Sequence, residues 1–163
     1  MAAEYLFMEF LLEYREYFEE TEVCTEEDVT EIEKKWGVKF PRSYREIYLI
    51  LGESYGFSLI DDDGNQFEDY EEIKTSAEKL IAECKTKPDF VLDENMFVFG
   101  CFISNMIFYF FKLDEGDDPP VYRYQAGDKE YKLAAESLSL FIQKQSWYKG
   151  YLVLKEYKKS GKI

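Results

Sequence analysis

The chain has 163 residues, of which 46% are hydrophobic and 18% aromatic, and it carries a formal net charge of -14. That length and apolar content exclude a disordered chain and fit one domain, large enough to bury roughly 70% of the surface its unfolded chain exposes. The acidity opposes nucleic acid and anionic membrane surfaces as partners, favours a basic partner, and also serves solubility.

In chain order, Ala3 to Glu19 is predicted as an amphipathic helix, because Phe7, Leu11, Tyr14 and Phe18 recur along one helical stripe. Glu4, Glu9 and Glu13 interrupt its apolar run, so it is not read as a secretory signal. Thr25-Glu26-Glu27-Asp28 reads as a capping box with Asp in place of the usual Glu or Gln. The helix that follows runs to Trp36, with Val29, Ile32 and Trp36 on one face. Gly37 stops it, since Gly tolerates the left-handed backbone of a helix end. Lys39 and Phe40 form an extended link ahead of Pro41. Pro41 opens a third helix, where its missing N–H is no loss. Tyr44, Ile47, Tyr48 and Leu51 form the buried side of that helix, and Gly52 ends it.

Tyr55 to Ile60 is a short strand candidate, followed by a turn at Asp61-Asp62-Asp63-Gly64-Asn65. Tyr70 to Lys85 reads as a helix with Ile73, Ala77, Leu80, Ile81 and Cys84 as its apolar stripe, and Pro88 prevents continuation. Met96 to Ile103 and Met106 to Leu113 are strands joined at Ser104-Asn105, a hairpin. An acidic turn from Asp114 to Pro120 leads to a third strand, Val121 to Gln125. After a turn at Ala126-Gly127-Asp128, Tyr131 to Leu133 is a fourth short strand. Ser137 to Trp147 is a closing helix with Leu138, Phe141 and Ile142 inward, and Leu152 to Tyr157 either extends it or forms a separate element. No repeat or low-complexity linker divides the chain, so residues 1–163 are read as a single domain. Helices, then strands, then a helix predict an α+β fold: an antiparallel sheet of about four to six strands, packed with helices and covered on one side.

The chemistry searched for is mostly missing. The chain contains no histidine, which removes the commonest general base, the Ser-His-Asp and Cys-His arrangements and His-based metal sites. It has no phosphate-cradling glycine loop. Cys24, Cys84 and Cys101 are odd in number and widely spaced, which fits a reduced compartment and neither a disulfide scaffold nor a zinc site. No stretch approaches the ~20 apolar residues of a membrane span. The expectation is a cytoplasmic protein that is not an enzyme and takes no cofactor or metal. The Asp61 turn fails the calcium-loop pattern in both registers: counting from Asp61 puts Gln66 sixth, and counting from Leu59 puts Tyr70 twelfth. Carboxylate pairs for glycoside chemistry cannot be nominated among 34 acids. Lys144 to Lys159, with Trp147, Tyr148 and Tyr151, has the composition of an RNA-binding segment, but the overall charge opposes that reading and favours snorkelling lysines.

Charge is also unevenly placed. From Glu4 to Glu33 there are twelve acidic residues and one basic residue, Arg15, whereas from Gln143 to Ile163 there are six lysines and one acid, Glu156. Such ends can attract within or between molecules, but two solvated helix faces are the simpler reading.

Glu33, Gly37, Phe40-Pro41 and Tyr44 match the opening motif of the SUKH superfamily: a helix ending Glu-x-x-x-Gly, an apolar-Pro step, and an aromatic three residues on. A later strand (Ile107 to Leu113), the acidic turn Asp114-Glu115-Gly116-Asp117-Asp118-Pro119-Pro120, the strand Val121-Tyr122-Arg123-Tyr124 and a helix carrying Ser137, Leu138, Phe141 and Ile142 are similar to the family pattern in the same order. The chain therefore resembles that superfamily over a core of residues 29–142, with the N-terminal helix, residues 1–21, outside it. Phe40 replaces the usual Leu, and Leu51-Gly52-Glu53-Ser54-Tyr55-Gly56 replaces an Asn-Gly-Gly-like helix end. Both changes keep an apolar anchor and a flexible stop. Gly37 and Pro41 are read as setting backbone geometry, and Phe40 and Tyr44 as packing.

The resemblance implies a SUKH-like fold and a protein that works by binding. Bacterial members are mainly immunity proteins that block a cognate toxin, often a nuclease, without chemistry of their own. Fungal members regulate and scaffold cell-wall synthesis, so an intracellular scaffold or regulatory binding module is the alternative. A nuclease toxin with a basic surface suits this chain's charge. Local charge density nominates the contacts: Asp61, Asp62, Asp63, Glu68 and Asp69 in one region, and Asp114, Glu115, Asp117 and Asp118 in the other. The oligomeric state stays open at this level.

Overall fold

The computed structural model describes residues 4–17, 22–52, 70–102 and 106–161. Among these residues are six helices and a four-stranded antiparallel sheet. The predicted strand at residues 55–60 lies outside the described residues.

The corner between the second and third helices is built on Glu33. Helix α2 (Glu26–Trp36) begins with the expected capping box: the Asp28 N–H donates to Thr25 Oγ1 (3.1 Å) and the Thr25 N–H donates to Asp28 Oδ2 (2.8 Å). Hydrogen bonds from the Thr25 backbone and side chain hold the Asp28 carboxyl below its usual range. Gly37 ends α2 in the left-handed conformation, φ 66°, and its N–H returns to the carbonyls of Glu33 and Lys34. Pro41 caps α3 (Arg42–Leu51), one position earlier than the first helical turn predicted for it. Between the two helices, the buried Glu33 carboxylate accepts the Phe40 N–H at 2.6 Å and pairs with Arg45. Arg45 also reaches Glu26 at 2.6 Å, so one guanidinium on α3 holds both ends of α2. Burial works against the charge on Arg45, and the two carboxylates more than offset it. At the far end of α3, Gly52 has φ 90°, and a Cβ there would collide with the Glu22 carbonyl oxygen. Only glycine lets the chain entering α2 cross so closely.

The sheet is a meander. Strands β1 (Met96–Phe102), β2 (Ile107–Lys112), β3 (Val121–Gln125) and β4 (Lys132–Ala135) pair antiparallel in chain order. The last strand sits one residue later than predicted at its start and two later at its end. Register places Phe97 opposite Phe111, Phe110 opposite Tyr122 and Phe108 opposite Tyr124. Alternation then sends Phe97, Tyr109 and Phe111 to one face and Phe108, Phe110, Tyr122 and Tyr124 to the other. The first face meets α3 through Tyr44, whose ring lies 5.4 Å from Phe97 and 5.2 Å from Phe111. It meets α5 (Leu138–Gln143) through Phe141, 5.5 Å from Tyr109. The second face is covered by Phe90, 5.1 Å from Tyr124, and by Tyr131, 5.1 Å from Phe110. Covering is therefore two-sided, not one-sided. The signal is β1 itself: Met-Phe-Val-Phe-Gly-Cys-Phe is apolar at both parities, and all seven residues are buried. Helix α4 (Tyr70–Glu83) lies against β1 and buries Ile73, Ala77 and Leu80.

Both ends of the chain differ from expectation in an instructive way. Helix α1 is Phe10–Tyr17, shorter than the predicted span from Ala3. The N–H groups of Phe7 and Met8 donate to Glu46 Oε1 (2.9 and 3.0 Å), and Arg42 bridges Glu46 to the Glu4 carbonyl. A fully buried carboxylate on α3 thus captures donors in the segment ahead of α1. Met8, Leu11 and Tyr14 enter the core from this segment, while Phe7 is half-buried and Phe18 lies outside the described residues. The closing helix is split at Lys144-Gln145, where Gln145 takes an extended backbone, giving α5 and α6 (Ser146–Lys159). Helix α6 packs on α1 through Phe10–Tyr148, Tyr14–Trp147 and Tyr14–Tyr151 ring contacts, and Lys155 pairs with Glu13. The Lys155–Glu13 pair joins the acidic head to the lysine-rich tail there, while Lys149, Lys158 and Lys159 remain on an exposed face, as the simpler reading has it.

Removing the Glu33 carboxylate leaves a buried N–H and a partly buried guanidinium short of a partner, so Glu33→Ala should cost roughly 2–3 kcal/mol. Glu33→Gln keeps an acceptor for Phe40 and should cost less. Urea midpoints of the two variants check this; equal midpoints for Glu33→Ala and the parent would mean that the carboxylate does not hold the corner.

Candidate functional site

The acidic turn joins β2 to β3, and its carboxylates have three different fates. Asp118 caps a helix: its Oδ1 accepts the Ser139 N–H (3.0 Å) and its Oδ2 accepts the Ser139 hydroxyl (2.5 Å) at the start of α5. Beside it the Asp117 carbonyl accepts the Ser43 N–H (2.8 Å) in the first turn of α3. Two helix N-termini therefore converge on consecutive loop residues, where orphan N–H groups and dipoles favour acceptors and negative charge. The Asp117 side chain remains exposed. Asp114 and Glu115 point to a third environment, an open cleft of about 650 Å³.

The cleft lies between the loop, β2 and β3 on one side and the segment after α4 on the other. Asn95 organises its acidic rim. The Asn95 N–H donates to Asp93 Oδ1 (2.9 Å), its side-chain amide donates to Asp114 Oδ1 (2.8 Å), and its Oδ1 accepts the Asp114 N–H (3.1 Å). The inner wall is aromatic: Phe90, Tyr122 and Tyr131 make mutual edge contacts through Tyr131, with ring centroids 5.1 Å apart. The Lys112 ammonium sits 5.1 Å from the Tyr122 ring and 5.2 Å from the Tyr131 ring, and 3.7 Å from Glu115. The Tyr131 hydroxyl chiefly holds the Lys112 pKa above its usual value, with burial opposing and the charge of Glu115 helping. Burial, then the hydrogen bond to Glu115, push the Tyr122 phenol up, so it stays a protonated donor at neutral pH (2.9 Å to Glu115 Oε2). A second cleft, of about 390 Å³, shares Phe90 and Val91 with the first. Val91 is 81% exposed and forms an apolar ridge between them. Lys87, beside the second cleft, is engaged in capping the Ile81 and Ala82 carbonyls at the end of α4.

This arrangement, with three carboxylates against one ammonium, suits binding of positive charge. Tyr122 is a donor to Glu115, not a base, and Cys101, buried in β1, has its thiol pushed up to about 12 by burial, far from a reactive thiolate. Among the described residues no three or more His, Cys, Asp or Glu side chains gather to hold a metal ion. No described helix is long and apolar enough to cross a membrane.

Of the residues nominated from charge density, Asp114, Glu115, Asp117 and Asp118 share the β2–β3 loop, while Asp61, Asp62, Asp63, Glu68 and Asp69 lie outside the described residues. Charge density alone missed Phe90, Asp93, Asn95, Lys112, Tyr122 and Tyr131. They come together only through strand register and the return of the chain after α4, where the Asp89 N–H donates to the Lys129 carbonyl (2.7 Å). The one sequence signal was the Pro88 stop, which marked an irregular segment next to the hairpin.

Compared with known proteins, the sequence model of the SMI1 / KNR4 family (SUKH-1) matches residues 23–144. No curated protein and no solved structure matches the chain. The matched span contains α2 to α5, the sheet, the acidic loop and both clefts; α1 and α6 lie outside it.

The loop carboxylates should separate by role. Asp118→Ala leaves the Ser137 cap of α5 in place but strips the Ser139 N–H and hydroxyl of their acceptor, and should destabilise by about 1–2 kcal/mol. Asp117→Ala, at an exposed side chain, should shift stability by less than about 0.5 kcal/mol. Chemical denaturation of both variants reads the difference, and equal losses would contradict the assignment.

Proposed function

We propose, because this chain belongs to the SMI1/KNR4 family (SUKH-1), that it is a non-catalytic immunity protein that binds and neutralises a cognate toxin domain with a basic surface. The family includes immunity proteins, and the observation that carries the reading for this chain is the acidic, aromatic-walled cleft beside a helix-anchored loop. A net charge of -14 steers a basic partner toward the protein and opposes nucleic acid. The lack of histidine leaves the chain without the commonest general base, in keeping with inhibition by occupancy. A nuclease is the toxin class this surface suits best, since its substrate cleft must itself be basic.

A scaffold or regulatory module on the same fold is the second reading. What favours it is a surface of opposite character: α6 exposes Val153, Leu154 and Tyr157 among Lys149, Lys158 and Lys159. A protein with one acidic and one basic-apolar face is suited to holding two partners.

Co-expression decides between them. Toxin domains encoded beside this gene should kill when expressed alone and spare the cell when expressed with this chain, and the pair should co-purify. Charge reversal at Asp61, Asp62, Asp63 and Asp117 should weaken capture and flatten its salt dependence. If no neighbouring domain is neutralised while other cellular proteins are captured, the scaffold reading replaces the first.

A further inference from the structure

Asp93 and Asp114 are tied to the same Asn95, each through Oδ1, and neither second oxygen has a partner among the described residues. Two like charges are thereby held to one residue at the rim of an open cleft, where they attract a cation. Three carboxylates, Asp93, Asp114 and Glu115, line this cleft against one ammonium, Lys112. That ammonium already lies over the Tyr122 and Tyr131 rings, so the chain itself shows that the aromatic wall holds a cation.

We infer that this cleft is the seat of an arginine side chain from a basic protein partner. The inference rests on the reading of the protein as a binder of a basic toxin and names the subsite. Arginine fits better than lysine for three reasons on this surface. Its planar fork offers several fixed donors to a carboxylate, where lysine offers a point charge. Its flat face can stack on Phe90, a ring that Lys112 does not occupy. Its methylene stem can lie along the Val91 ridge, which is otherwise bare apolar surface. The neighbouring cations do not compete: Lys112 is paired with Glu115, and Lys87 caps α4.

The test is an NMR titration of the full, isotope-labelled chain with acetyl-Gly-Arg-Gly-amide at low salt, with the lysine and citrulline versions as controls. Saturable shifts should concentrate at the amides of residues 90–95 and 112–115 and at the Tyr131 ring, stronger for arginine than lysine and lost with citrulline. The double variant Asp93→Asn/Asp114→Asn keeps both acceptors for Asn95 and so should stay folded, yet bind the peptide about tenfold more weakly or worse. Shifts scattered over the acidic surface, equal shifts with lysine, or unchanged binding by the double variant would each overturn the arginine seat. The toxin assay reads the functional proposal separately. Neutralisation that survives in the double variant discards the seat and keeps the immunity reading, whereas a localised arginine response with no toxin neutralised discards the immunity reading and keeps the seat.

Discussion

The Glu33 carboxylate sits where a helix end, an extended link and a helix start would otherwise leave a buried N–H unpaired and a guanidinium short of one partner. It satisfies Phe40 and Arg45 together, and Arg45 returns to Glu26 at the other end of α2. Burying a carboxylate is costly unless its lone pairs are used, and here both oxygens are bonded. Glu46 repeats the device on the other side of α3, where it binds the N–H groups of Phe7 and Met8 and the Arg42 side chain. Helix α3 is thus fixed on two flanks by buried carboxylates. Once α3 is fixed, Tyr44 and Phe40 present their rings to Phe97 at 5.4 Å each, and the sheet has a defined surface to pack on. Such ring pairs contribute about 0.5–1.5 kcal/mol each beyond the area they bury.

Acid in this protein therefore serves three purposes that composition cannot separate. Glu33 and Glu46 are internal acceptors. Asp28 and Asp118 cap helices, and Asp118 places the β2–β3 loop against α5 while the neighbouring carbonyl of Asp117 meets α3. Asp93, Asp114 and Glu115 face a cleft. The loop that bears the candidate contacts is consequently anchored at both helices before any partner arrives, which lowers the ordering cost of binding.

The local punctuation was legible in the sequence. The capping box, the Gly37 stop, the Phe40-Pro41 link and the Phe/Tyr-rich hairpin each have a short-range physical cause, and each appears where expected. What escaped was set by distant residues. The stripe of Phe7, Leu11 and Tyr14 predicted a helix from Ala3, but the Glu46 carboxylate, some 38 positions away, takes the backbone donors of Phe7 and Met8, and α1 starts only at Phe10. Apolar residues at both parities of β1 signal cover on both faces, a cue that the order of helices and strands alone does not carry. The α1–α6 contact depends on ring packing of Tyr14 against Trp147 and Tyr151, which charge asymmetry only hinted at. At the candidate site, acid density found the Asp114 loop but not Asn95, whose role exists only when residues 93 and 114 are brought together.

Membership in the SMI1/KNR4 family and an anchored acidic cleft are the two observations from which the proposed binding of a basic partner starts. Hydrogen exchange on the chain alone and in complex with its neutralised toxin tests that account most directly. The account predicts new protection concentrated at residues 89–95 and 112–118, with little change on α6. Protection confined to α6 and α1, with the cleft exchanging as in the free protein, would contradict it.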